Sequence, residues 1–224
     1  MNNRAYAVSA DRHENVLATN KVIRNTFMLL SMTILFSALM ATVSIVTNLQ
    51  IPFLFTLGGY FGLLYLVHTT AHSAVGLVSV FAFTGFMGLT IGPILNMYIY
   101  GFSNGPQIVA ASLGATGVIF FSLSGYAMTS QRNFNYLGGF LFTGMMIAIL
   151  ASIAGMFFQV PALHLAVSSV VVMLMSGYIL FETSQLVHGA QTNYILATVS
   201  LYVTLFNLFI NLLHIIGSLA GNRD

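Results

Sequence analysis

The sequence predicts an all-α integral membrane protein, a bundle of seven transmembrane helices. Three observations lead there. Of its 224 residues 58% are hydrophobic and 4% charged, with a mean hydropathy of +0.91, whereas a soluble domain carries charge on about a quarter of its residues. Between Arg24 and Arg223 the only formal charges are Arg132 and Glu182. Proline, glycine and short polar runs then cut this apolar body into seven segments, most near the ~20 residues that a span needs. Helices are the spanning form, because an open strand in lipid leaves its backbone polar groups unpaired.

The segments follow from their punctuation. The first covers residues 26–47 and stops at Thr47-Asn48; it is longer than a signal-peptide core and no clear cleavage site follows it, so it reads as a retained span. Pro52 opens the second, 52–68, which ends in the polar run His68 to Ser73. The third, 74–99, breaks at Tyr100-Gly101, and the fourth, 107–128, at Thr129 to Asn133. The fifth, 136–159, stops before Pro161; the sixth and seventh cover 162–187 and 194–219. The chain thus divides into an N-terminal tail, 1–24, and a seven-helix domain, 25–224. The tail is polar and is expected to be disordered and cytosolic.

Positive charge orients the bundle. Arg4, Arg12, Lys21 and Arg24 place the tail in the cytoplasm, and alternation brings the Arg132 loop to the same side. The C-terminus then lies outside. Composition also excludes several chemistries. With no cysteine there is no disulfide, thiolate zinc site or cysteine nucleophile. No nucleophile elbow, HExxH or GxGxxG site is present. A two-aspartate membrane protease is excluded, since Glu182 is the one acid of the apolar body. His68 and His72 are spaced like half of a metal site, but they fall at a loop without a third ligand. His164 reads as an interfacial or packing residue. The expectation is a protein that is not an enzyme and has no catalytic residue, no metal and no cofactor, with the bilayer itself as a partner and none in nucleic acid.

Two patterns concern packing. In the third segment Gly85, Gly88 and Gly92 recur at close-approach spacing, and Gly92-Pro93 is a candidate hinge, expected to kink the helix or divide it. Gly114, Gly117, Gly138, Gly139 and Gly144 read as ordinary small-residue packing. In the seventh segment Ser200, Thr204, Asn207, Asn211 and His214 fall on one helical stripe. Such a stripe faces the bundle interior, either as interhelical hydrogen-bond glue or as a track for a proton or ion. Glu182, about 7–8 Å from the end of the sixth span, is the matching acid: an intramembrane acid is by default a functional-site candidate, with snorkelling or structural hydrogen bonding as the plain alternatives. Glu182, Thr204, Asn207, Asn211 and His214 are therefore the candidate proton, ion or gating residues.

Three stretches carry a family resemblance: Phe83-Thr84-Gly85-Phe86-Met87-Gly88-Leu89-Thr90-Ile91-Gly92-Pro93, Ile179-Leu180-Phe181-Glu182-Thr183-Ser184-Gln185, and Leu201-Tyr202-Val203-Thr204-Leu205-Phe206-Asn207 with its continuation to Leu213. Together they resemble the Bax inhibitor-1 family of seven-helix membrane proteins. The resemblance implies a calcium-leak activity, known in some members, in which an aspartate pair on the last two helices shares a proton and gates a pore with pH. Glu182 falls on the first aspartate position and Thr204 on the second. Thr204 cannot ionise, so a Glu182–Thr204 or Glu182–Asn207 hydrogen bond would join the same helices as structure. The tail Lys21-Val22-Ile23-Arg24-Asn25-Thr26 and the segment Phe181 to Ser184 resemble, more narrowly, a bacterial inner-membrane member that modulates the FtsH protease. That likeness implies binding to the FtsH complex, with Arg12, Lys21 and Arg24 in the partner-binding tail. A pH-sensitive cation or proton leak channel is the alternative.

Overall fold

The structure, a computed structural model, describes residues 3–130, 132–158 and 161–220. They form seven helices: α1 (Asn3–Thr47), α2 (Phe53–Thr70), α3 (Val75–Gly101), α4 (Gly105–Thr129), α5 (Leu137–Phe158), α6 (Pro161–Val187) and α7 (Tyr194–Ala220). Each contains a stretch long and apolar enough to cross a membrane, with mean hydropathy from 1.2 in α2 to 2.2 in α1. The bounds of α2 to α7 match the segments read from sequence to within two residues.

The first helix differs. The tail read as disordered is helical from Asn3 and continues into the span without a break. Residues 1–47 contain neither proline nor glycine, so a helix nucleated in the apolar span propagates outward at little cost per residue. The apolar part of α1 begins at Thr19, and the sixteen residues before it extend about 24 Å at ~1.5 Å each.

Helix ends are set by local chemistry. Asn48, at φ 49°, ends α1, with its N–H on the Ile45 carbonyl and that of Leu49 on Ser44. Gly189, at φ 69°, ends α6 in the same way, the Ala190 N–H reaching Gln185 at 2.9 Å. Asn193 starts α7: its Oδ1 accepts the N–H of Ile195 at 2.9 Å and of Leu196 at 3.3 Å, while its Nδ2 donates to the Ala71 carbonyl at 2.9 Å. One side chain thus caps α7 and ties it to the α2–α3 turn. An Asn193→Ala variant is expected to lose about 1 kcal/mol, measured as a shift in unfolding free energy in bicelles.

α7 is the central helix, in contact with α1, α2, α3, α4 and α6. α2 lies outside α3 and α5 outside α6, and both turn most of their surface outward, Phe53, Phe61, Phe140 and Phe142 among it. The main core cluster runs along the centre through Phe83, Ile179, Leu201 and Leu208; a second, around Tyr98, Ile108 and Leu213, fills one end.

The most extensive helix pair is α1 with α3, and glycine makes it possible. A Cβ on Gly88 would run into the backbone carbonyl of Ser37, and one on Gly92 into the Ser44 side chain. The helices therefore approach at contact distance of main chain. Gly92-Pro93 does not divide α3, which stays helical from Val75 to Gly101. Pro93 has no N–H for the Leu89 carbonyl four residues back; that carbonyl instead accepts the Ser44 hydroxyl of α1 at 2.8 Å. The bond lost in one helix is made good by its neighbour. One level away, Ser37 Oγ and Tyr202 Oη lie 2.6 Å apart, and the tyrosine donates to the Thr84 carbonyl at 3.2 Å, joining α1, α7 and α3. The other glycines divide. Gly138 and Gly144 meet Phe181 and Leu174, as packing predicts. Around Gly114, Gly117 and Gly139 a Cβ would have nothing within 4 Å among the described residues, so the packing read there from spacing is absent.

Candidate functional site

The candidate site lies where α6 ends and α7 begins. The two helices are joined by the turn at Gly189, so residues a similar distance before and after it face one another at one depth. Glu182 precedes the end of α6 by five residues, and Ser200 follows the start of α7 by six. Ser200 and Thr204, four apart, share a face of α7. Both meet the acid. The Ser200 hydroxyl donates to Glu182 Oε1, and the Thr204 hydroxyl lies 3.1 Å from Oε1 and 3.0 Å from Oε2. Two hydroxyls thus cradle the only acid of the apolar body. Glu182 lines a small pocket together with Gln185, Gln191 and Ser200.

The neighbours of Glu182 on α6 complete the joint. Thr183, fully buried, donates to Ser124 Oγ of α4 at 3.3 Å. Ser184, also fully buried, accepts the Phe134 N–H at 2.9 Å and donates to the Arg132 carbonyl at 3.5 Å. Successive residues on a helix point about 100° apart, so residues 182, 183 and 184 reach α7, α4 and the α4–α5 loop respectively. Sequence reasoning missed the second and third of these. Their signal was present in the adjacent Thr183-Ser184 pair, too polar for a lipid face.

The other predicted residues part from this cluster. Asn207 does not meet Glu182; its Nδ2 donates to the Val203 carbonyl of its own helix at 2.9 Å, and that of Asn211 to Asn207 at 2.8 Å. The stripe is therefore interhelical at Ser200 and Thr204 and self-satisfied at the two asparagines. A side-chain amide can pair with the carbonyl one turn back, so the shared face does not require a shared partner. His214 lies further along α7, half-buried, at the far end from Glu182. The Arg132 side chain is exposed and forms no ion pair with Glu182. Lys21 and Arg24 are exposed on α1, while the side chain of Arg12 lies outside the described residues. His68 ends up on α2, and His72 lies in the following turn with Nδ1 3.4 Å from Asn193 Nδ2, so the two do not share a helical face. Among the described residues no group of three or more metal-ligating side chains comes together.

Seven apolar helices, outward-facing aromatic flanks and an interior whose polar side chains bond both within and between helices define a polytopic membrane protein. The model of the family described as "Inhibitor of apoptosis-promoting Bax1" matches residues 19–221. The chain belongs to this family, Bax inhibitor-1. It is 46% identical over 215 residues, 96% of this chain and 97% of the relative, to the Escherichia coli (strain K12) protein named "Modulator of FtsH protease YccA". The same identity and coverage relate it to a protein of a second Escherichia coli strain named "Inner membrane protein YccA". A Pseudomonas aeruginosa protein is 45% identical over 204 residues, 91% of each chain. The narrower likeness to an FtsH modulator, read from the tail and from Phe181 to Ser184, is thereby matched across nearly the whole sequence.

Proposed function

We propose that this chain is a protein of the bacterial inner membrane that binds and modulates the FtsH protease, with its N-terminus in the cytoplasm and its C-terminus in the periplasm. The observation that carries this reading is the 46% identity, over 96% of this chain, to a protein named as a modulator of that protease. The site supports it over a pH-gated leak. Glu182 is faced by Ser200 and Thr204, neither of which ionises, so no pair of carboxyls shares a proton between α6 and α7. The helical extension from Asn3 is the part offered to a partner in the aqueous phase, and the tightly seated bundle behind it would occupy a protease without being readily consumed. It acts by binding rather than by catalysis.

Co-purification from mild detergent tests the proposal: FtsH is expected in the eluate of the full chain and absent from that of a chain lacking residues 1–20. Unchanged turnover of FtsH substrates when the full chain is expressed would overturn it. Reconstituted liposomes separate the alternative, since the modulator reading expects no calcium or proton flux above protein-free vesicles. A flux abolished by Glu182→Gln would instead establish the channel.

A further inference from the structure

We propose that two of the interhelical hydrogen-bond joints of α1, those at Ser37 and Ser44, latch it into the bundle beside the Thr198 hydroxyl bond to the Thr26 carbonyl at 3.3 Å, and that this latch sets how strongly the protein resists being drawn out of the membrane by its N-terminal end. The inference rests on the protease-modulator reading for the agent that pulls, not for the latch itself. Because α1 is one unbroken helix from Asn3 to Thr47, force applied to its N-terminal end passes along its axis without a slack segment to absorb it. Axial pull loads the α1–α3 seam in shear. A shift by one residue, ~1.5 Å, would carry the Ser44 hydroxyl off the Leu89 carbonyl that it holds at 2.8 Å. The same shift would pull Ser37 away from Tyr202, which it holds at 2.6 Å. It would also bring side chains of α1 across Gly88 and Gly92, where no Cβ fits even at rest.

Each joint has a reason to resist. The Leu89 carbonyl has lost its own helix's donor to Pro93, so breaking the Ser44 bond leaves a polar group unpaired where no water replaces it. Tyr202 donates onward to the Thr84 carbonyl, so the second joint fastens α1 to α7 and α3 together. Other hydroxyls of α1 provide the contrast. Ser31 and Thr42 are exposed and donate to Phe27 and Ala38 of their own helix at 2.9 Å each, so they move with it and latch nothing.

Constant-force extraction of the full chain from a lipid bilayer, held at its C-terminal end and pulled from its N-terminal end, reads the latch directly. Ser44→Ala and Tyr202→Phe are each expected to speed release of α1 by about 3-fold, and the double variant by about 10-fold; Ser31→Ala should release at the wild-type rate. In a Pro93→Ala background Leu89 regains a donor, and Ser44→Ala should lose its effect. Wild-type rates for both latch variants, or an equal acceleration by Ser31→Ala, would overturn the inference. The same variants co-reconstituted with FtsH and ATP separate the two readings: if FtsH fails to bind the wild type while the force ranking holds, the protease reading falls and the latch stands.

Discussion

Gly88→Ala is expected to destabilise the bundle by about 1–3 kcal/mol, although it adds a single methyl group to the middle of a helix. Alanine favours a helix by roughly 0.8–1.0 kcal/mol over glycine, so propensity alone predicts the opposite sign. The methyl would meet the main-chain carbonyl of Ser37, and backbone, unlike the end of a side chain, cannot swing aside. Overpacking of this kind costs a few kcal/mol, and here it would also spread the seam that brings Ser44 to Leu89. Gly114→Ala is the matched control. It lies on α4 with nothing within 4 Å of the added carbon among the described residues and is expected to be neutral or slightly stabilising. Steric trapping in bicelles would measure both; equal effects at the two sites would mean that α1 and α3 are not in main-chain contact.

Removing the carboxylate of Glu182 has the second largest expected effect. Glu182→Ala leaves the Ser200 and Thr204 hydroxyls without the acceptor they share. Hydrogen bonds to a charged group contribute about 1.5–3 kcal/mol in soluble proteins, and double-mutant cycles inside a membrane protein average ~0.6 and reach ~1.7. A loss of roughly 1–2 kcal/mol follows. Glu182→Gln keeps one acceptor oxygen and should lose less. The diagnostic quantity is the coupling of Glu182→Ala with Thr204→Val, expected at about 0.5–1.7 kcal/mol. Asn207→Ala, whose amide serves its own helix, should couple to Glu182→Ala by no more than ~0.3 kcal/mol. Equal coupling to both residues would dissolve the cradle.

Much of this architecture was legible because lipid leaves few choices. Pro52, Pro106 and Pro161 mark helix starts, and the runs His68 to Ser73 and Thr129 to Asn133 mark turns, so six helices could be bounded to within two residues. The tail was misread because polarity argued for disorder, while the absence of proline and glycine from residues 1–47 argued for helix and prevailed. At the site, spacing gave the face that Ser200, Thr204, Asn207 and Asn211 share but not which of them would reach across it. The matched positions left Thr204 and Asn207 as alternative partners of Glu182, and it is Thr204 that reaches it. The joints at Ser37 and Ser44 were not foreseen: their seven-residue spacing sets them on one helical face, away from the exposed Ser31, but does not name the helix they meet. Only the neighbour's missing N–H at Pro93 marks Ser44 out, and that requires knowing which helix is the neighbour.

The central place of α7 has a consequence for biogenesis. The helix that five others contact, α7, follows the other six in chain order. Until it inserts, Glu182 lacks both its hydroxyl partners and Tyr202 is missing from between α1 and α3. A chain arrested after α6 would hold an uncradled acid in lipid, the kind of defect by which a cell can tell an unfinished membrane protein from a finished one. Insertion of α7 is what completes both joints, and truncations within α7 should yield short-lived chains rather than six-helix variants, a difference that a pulse-chase measurement of turnover would read.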